Sequence, residues 1–300
     1  MKEIAVIIPA FRAQHLHRTL SSLALQTEKN FAVYVGDDAS PDDLKSIAGE
    51  FEDTLDIYYT RFEENFGIAR QSAHLERCLG LTQGEPLVCF LSDDNEWTPD
   101  VARRVGKAAR RHQEINVFHL NTDYIDTASA PAGKGRRYCR KMRPERLFRR
   151  IFVKQAPAPF SSFFFRREAL EKAMFQIRDV SRSPLTLVFA CMTPKGRLLT
   201  VRYARLRKRI YSADSVTNPA TMLEKAQQMQ SFFGWSEYFF EDGYPLSPRD
   251  RVELFAAHAA GMYPSRTEAE ILEKFLTFRV FEREFSKNRG KRILHRSLKR

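Results

Sequence analysis

"EIAVIIPAFRAQHLHRTLSSLALQTEKNFAVYVGDD", residues 3–38, changes period twice. Residues 3–11 form a compact apolar run suited to a strand buried on both faces. Residues 14–26 place Leu16, Leu20 and Leu23 on one stripe at helical spacing. Residues 31–35 return to an apolar run that stops on Gly36-Asp37-Asp38. Strand, helix and strand in this length make a βαβ unit, whose parallel strands are joined by a crossover helix.

The same alternation continues to residue 126. A second helix is expected over 43–51, a strand over 55–62 and a helix over 69–81. "PLVCFL" (86–91) reads as a fourth strand. Thr98-Pro99 opens a helix running to 112, and 116–126 closes the series. Such regularity predicts an α/β fold with a mixed, mostly parallel Rossmann-like sheet flanked by helices. Residues 127–215 are less regular, although 161–173 reads as a strand running into a helix. Beyond about residue 220 the pattern turns helical, with a capping box at Thr267 and Glu270. The expected organisation is one domain over 1–215, with halves 1–126 and 127–215, and a helical, basic C-terminal extension over 216–300.

Composition narrows the partners. The 300 residues carry 49 Lys and Arg against 37 Asp and Glu, a net charge of +12. The excess is clustered: residues 134–150 hold nine bases and one acid, 202–209 five bases, and 287–300 seven. Anionic partners are therefore expected, whether nucleotide phosphates, lipid headgroups or nucleic acid. Cys78, Cys89, Cys139 and Cys191 lie far apart, without zinc or disulfide spacing, which suits a reducing cytoplasm. No run approaches the length of a membrane span, and the opening apolar stretch lacks the features of a signal peptide.

In open α/β sheets, ligands bind beyond the carboxyl ends of the strands. The first strand ends at Pro9-Ala10-Phe11, the second at "GDDASPDD" (36–43), and the fourth at Ser92-Asp93-Asp94-Asn95. Asp, Asn, Ser and Pro also form turns, so either acidic stretch alone reads equally as a turn. Together at one sheet edge they gather acids that need a cation, which a divalent metal on a diphosphate would supply.

"AVIIPAF", "VYVGDDASPDD", "ENFG" and "VCFLSDDNEWTPD" together resemble the nucleotide-binding half of family 2 glycosyltransferases, which have the GT-A fold. The resemblance covers about residues 3–125 and is nearest to bacterial members that build lipopolysaccharide, capsule or exopolysaccharide. It implies that Pro9 and Ala10 line the nucleotide and that Asp38, beside Asp37, contacts base or ribose. Asn65 and Gly67 would help close a loop over the donor. The Asp-x-Asp motif that holds Mg²⁺ or Mn²⁺ falls on Ser92-Asp93-Asp94, with Asp94 as the metal ligand and Asp93 a further oxygen donor at metal and nucleotide. Ser92 replaces a customary Asp.

Such enzymes invert the sugar carbon, using a carboxylate to deprotonate the acceptor. Where the similar subgroup has its acidic pair, this chain has Pro184 and Leu185, so Asp179 is the nearest candidate base. Arg209 is the nearest match to a diphosphate-binding residue. The resemblance thus implies a cytoplasmic transferase using a nucleotide-sugar donor and a saccharide or lipid-linked acceptor. Bases interleaved with Tyr138, Met142, Leu147, Phe148 and Phe152, and with Ile293, Leu294 and Leu298, suit peripheral contact with an anionic membrane on its inner face. Two alternatives stay open: a weakened homologue that binds donor without turnover, and a basic module for lipid or nucleic acid. No nucleic-acid-reading motif is visible, so nucleic acid is not an expected partner.

Overall fold

The computed structural model describes residues 2–67, 70–148, 150, 158–177, 188, 191–192 and 196–211. Within residues 2–142 and 158–211, the described stretches belong to one compact unit. Its strands are β1 (Ile4–Ala10), β2 (Phe31–Asp37), β3 (Ile57–Arg61), β4 (Leu87–Phe90), β5 (Glu96–Trp97), β6 (Val117–Ile125), β7 (Pro131–Lys134), β8 (Lys141–Met142), β9 (Phe163–Arg166) and β10 (Leu198–Arg209). Its helices are α1 (Ala13–Ala24), α2 (Leu44–Gly49), α3 (Gln71–Leu79), α4 (Val101–Arg111) and α6 (Arg167–Ile177). A short helix, α5 (Pro144–Phe148), falls in a second unit. The expected C-terminal extension and the helical pattern beyond residue 220 lie outside the described residues.

One sheet runs in the order β3-β2-β1-β4-β9-β6-β10-β5, with β7 on β6 and β8 on β10. The β3-β2-β1-β4 half is parallel throughout. β9 enters antiparallel between β4 and β6, and β6 and β10 are again parallel to each other. The α/β fold and the strands expected up to residue 126 are thus present. β1, β2 and β4 lie side by side, which brings the two acidic turns to one edge.

The apolar runs explain this half. Central parallel strands are covered on both faces, so Val6, Val33 and Cys89 are all fully buried in one core. Leu16, Leu20 and Leu23 seat α1 on that core, and Val101, Val105 and Ala109 do the same for α4. Burial of one leucine or valine side chain contributes about 2 kcal/mol. α4 begins at Val101, slightly later than the Thr98-Pro99 signal suggests. The Val101 N–H still donates to the Thr98 carbonyl at 3.2 Å, so the signal marks the turn that leads into the helix.

Gly36 in β2 is fixed by close approach. A Cβ there would land on Cys78 Sγ of α3 and within 3.2 Å of the Phe62 ring. Gly36→Ala is therefore expected to destabilise the protein by about 1–3 kcal/mol through overpacking. A urea unfolding midpoint equal to wild type would refute this packing account.

Candidate active site

The carboxyl ends of β1, β2 and β4 are stitched together by backbone bonds. Ala10 sits opposite Asp37 in the β1–β2 register, and the Asp38 N–H donates to the Ala10 carbonyl at 2.9 Å. Leu91, just past β4, donates to Ile7 at 2.8 Å. Pro9 and Ala10 consequently stand between the two acidic turns.

Asp37 is 0% exposed. Its carboxylate accepts from Arg61 Nη1 at 2.8 Å, Tyr59 Oη at 2.5 Å and the Ser40 N–H at 2.7 Å. Burial and this bond push the Tyr59 phenol up to about 12, so it stays a neutral donor. Tyr59 and Arg61 line a cleft of ≈ 670 Å³ with Ser40, Asp42 and Lys45. Such a volume suits a small-molecule pocket.

Asp38 organises the loop that follows β3. It accepts the N–H groups of Phe66 at 2.9 Å and Gly67 at 3.0 Å, and it pairs with the Arg77 guanidinium. Asn65 Nδ2 closes the arrangement on the Asp38 carbonyl at 2.8 Å. Gly67 adopts φ +54, a left-handed conformation that glycine takes without strain. Asp38, Asn65 and Gly67 are therefore assembled into one knot, with Arg77 held over the Phe62 and Phe66 rings. No signal in the sequence marks this role for Arg77, which lies inside an ordinary helical stretch.

Arg77 Nε also donates to His74 Nδ1 at 2.9 Å. That nitrogen acts as an acceptor, so the ring is neutral and its 3.5 Å approach to Asp38 is not an ion pair. Burial holds the His74 pKa below its usual value. The unfolded chain thus takes up a proton near pH 6.5 that the folded chain refuses. Stability is fully present above that pH and is lost as pH falls toward the lowered value, by at most about 1.4 kcal/mol per unit. Urea midpoints at pH 7.5 and 5.5 measure this. His74→Gln should flatten the slope, and an unchanged slope would remove His74 as its source.

The second acidic turn, at the end of β4, uses its members differently. Asp93 Oδ2 accepts the N–H groups of Phe11 at 3.0 Å and Arg12 at 3.1 Å, which anchors the loop to the start of α1. Thr19 Oγ1 donates to the Asp93 carbonyl at 2.9 Å. Although its side chain is only half-buried, protein crowds the Asp93 carboxylate, and this desolvation raises its pKa against the pull of the two N–H donors. Asp42 caps the same helix from the other acidic turn, accepting the Ala13 N–H at 2.9 Å. Asp94 is half-buried, and Tyr211 Oη donates to its Oδ2 at 2.9 Å. Ser92 bonds to Ser161 Oγ at 3.0 Å, and Asn95 Nδ2 reaches the same hydroxyl at 3.3 Å.

Arg209 is 2% exposed, and its guanidinium faces protein. It donates to the carbonyls of Asp94 at 3.1 Å and Asp126 at 2.5 Å, to Glu96 Oε1 at 2.7 Å and to Ser129 Oγ at 3.0 Å. Its own N–H donates to Asn95 Oδ1 at 3.2 Å. Arg209 therefore braces the loop that carries Asp93 and Asp94. Tyr211, which the sequence reading missed, follows at the alternating spacing that turns two residues to one side. Asp179 lies outside the described residues.

Among the described residues no three His, Cys, Asp or Glu side chains gather into a metal cage. The donors expected from the sequence are Asp94 with Asp93 beside it. Two hard carboxylates fit a Mg²⁺ or Mn²⁺ ion that completes its shell with water and substrate phosphates.

The glycosyl transferase family 2 profile matches residues 5–174. The chain belongs to that family. An uncharacterised glycosyltransferase of Nostoc is 23% identical over 227 residues, covering 73% of this chain and 68% of that protein. Validoxylamine A glucosyltransferase of Streptomyces hygroscopicus is 41% identical over 73 residues, 23% of this chain and only 17% of the relative. The fold of this family 2 chain is shared with S. aureus TarS at TM-score 0.54 and 15% identity, covering 87% of this chain and 48% of TarS. A TarS fragment solved with UDP-GlcNAc aligns at TM-score 0.53 and 16% identity, over 87% of this chain and 80% of the fragment. GalNAc-T7, solved with UDP, GalNAc and Mn²⁺, aligns at 0.52 and 15% identity, over 79% of this chain and 50% of that one.

Proposed function

We propose that this glycosyltransferase moves a sugar, with inversion, from a nucleotide diphosphate to a saccharide or lipid-linked acceptor in cell-surface polysaccharide synthesis. The observation that carries the reading is the Asp93-Asp94 loop, held at the shared carboxyl edge of β1, β2 and β4. Structural relatives solved with UDP-sugar and with Mn²⁺ support the donor class and the metal. Pro9 and Ala10 border the donor, and the Asp38 knot with Asn65 and Gly67 shapes the loop beside it. Asp37 supports that edge from beneath, through Arg61 and Tyr59.

Asp94, assisted by Asp93, would hold Mg²⁺ or Mn²⁺, which when bound offsets charge on the departing diphosphate. The acceptor hydroxyl oxygen forms the new bond to the anomeric carbon as its proton passes to a carboxylate base, assigned to Asp179. The anomeric carbon–oxygen bond breaks, and its electron pair leaves on the diphosphate. Arg209 acts as a positioning residue, fixing the Asp94 backbone. Residues 1–215 would form the transferase domain, with 216–300 as its basic extension. No helix among the described residues is long and apolar enough to cross a membrane. We place the enzyme in the cytoplasm, with its basic tail over 287–300 touching the inner membrane face. Tyr138, Met142 and Leu147 are buried, so the segment over 134–150 does not present the apolar face expected of it.

A second reading, a homologue that binds donor without turnover, is favoured by Ser92, whose hydroxyl bonds to Ser161 where the family customarily has a carboxylate. Thermal stability against nucleoside diphosphates and nucleotide sugars, with and without Mn²⁺, separates the readings. Ligand at about a hundred times its Kd should stabilise the folded state by about 2.7 kcal/mol. The active enzyme is expected to show a Mn²⁺-dependent shift and donor consumption, with Asp179→Asn keeping the shift and losing transfer. A shift without turnover supports the second reading, and no shift with any donor overturns both.

A further inference from the structure

A cationic groove of ≈ 270 Å³ lies between α4 and the first half of β10, at the other end of that strand from Arg209. Lys107 and Arg111 enter it from α4, Arg140 from the segment before β8, and Arg202 from β10. All four are exposed, and none has an ion pair among the described residues. Arg103 and Arg104 also line it but share the single carboxylate of Asp100. These bases come from three separate stretches of sequence. Assembled on one groove they repel one another unless an anion is present.

The groove has an apolar base and one aromatic edge. Leu199 and Val201 are buried in it. The β6 register passes from Leu120 opposite Val201 to Asn121 opposite Arg205, so residues 202–204 bulge out of the ladder. Within the bulge Tyr203 takes φ +66, a left-handed conformation that strains a non-glycine residue. The strain leaves the Tyr203 ring 73% exposed, with the Arg104 guanidinium 5.4 Å from its centroid. An exposed aromatic face beside unpaired bases matches a sugar ring stacked on Tyr203 with its acidic groups on the arginines.

We infer that this groove is a binding site for an acidic saccharide chain, whose repeated carboxylates or phosphates occupy the Lys107, Arg111, Arg140 and Arg202 side chains. The inference rests on the proposed transferase function and names the acceptor class. Val201 and Arg209 lie opposite Leu120 and Ile125 of β6, a separation of roughly 17 Å along the ladder, so a chain bridging the groove and the Asp94 edge would be an oligosaccharide. A bilayer is disfavoured because the site is concave and Tyr203 is the single large apolar residue projecting there among the described residues. Single-stranded nucleic acid is disfavoured because it uses successive stacking platforms, and this groove has one.

The test titrates the full chain, without donor or metal, with a galacturonate oligomer, a polyol-phosphate oligomer and a neutral maltooligosaccharide. At least one acidic oligomer is expected to bind about tenfold more tightly than the neutral one, and to weaken with salt. Which acidic oligomer binds identifies the anion. Lys107→Glu with Arg111→Glu should weaken that binding about tenfold or more, and Tyr203→Ala about fivefold, while pyrophosphate binding withstands Tyr203→Ala. Unchanged affinity in the double variant overturns the inference. So does the absence of binding, or binding of phosphatidylglycerol vesicles or an oligothymidylate that the double variant weakens as much. Because no donor is present, failure here is distinct from failure of the donor-site reading.

Discussion

Asp94→Asn is expected to lower sugar transfer about a hundredfold or more while moving the melting temperature by no more than about 2 °C. The amide keeps the shape of the side chain and an oxygen to accept the Tyr211 hydroxyl, now 2.9 Å away. What it loses is negative charge, which a hard divalent ion requires. The side chain is half-buried, so removing the charge relieves little desolvation and the fold barely responds. Initial rates with the donor that gives the largest thermal shift measure the effect. Undiminished transfer would mean that Asp94 holds no metal and that the edge is built for something else.

Arg209→Ala should do the reverse, destabilising the fold by about 3–5 kcal/mol and lowering the melting temperature by about 10 °C. The guanidinium is shut away from solvent and bonds to two carbonyls, a carboxylate and a hydroxyl. Truncation leaves a cavity and strands those acceptors, although Glu96 keeps Arg207 at 3.2 Å and Ser129 at 2.5 Å. Lysine is no remedy, because a single ammonium cannot reproduce the planar fork. Donor affinity should fall as a consequence, since the Asp94 backbone loses its brace. If the variant keeps its melting temperature and loses only donor affinity, Arg209 contacts the diphosphate instead of the loop.

The division between what could be read from residues and what could not follows the range of the interactions. β1, α1, β2, β4 and α4 announce themselves because each buries an unbroken run or one regular stripe, and burial imposes its period locally. The acids at the carboxyl edge were legible for a related reason, as each ends an apolar run abruptly. Their roles were not. Asp37, Asp38, Asp93 and Asp94 look alike in sequence, yet one is sealed under Arg61, one ties a loop, one caps α1, and one receives Tyr211. Those fates depend on partners 24 to 117 positions away, a separation that periodicity cannot register.

β10 marks the limit most sharply. Its bases read as a cluster for anionic partners, but Leu198, Val201, Ala204 and Leu206 are buried between them, and a three-residue bulge breaks the alternation. The sequence by itself determined the parallel half of the sheet and the edge where its acids meet, since local hydrophobic spacing is enough to specify strands, helices and their order. Only the tertiary structure decided which acid is sealed and which stays half-buried at the edge, why Arg209 is interior, and where the scattered bases converge on a groove, because each depends on side chains distant in sequence competing for one buried partner or one exposed face.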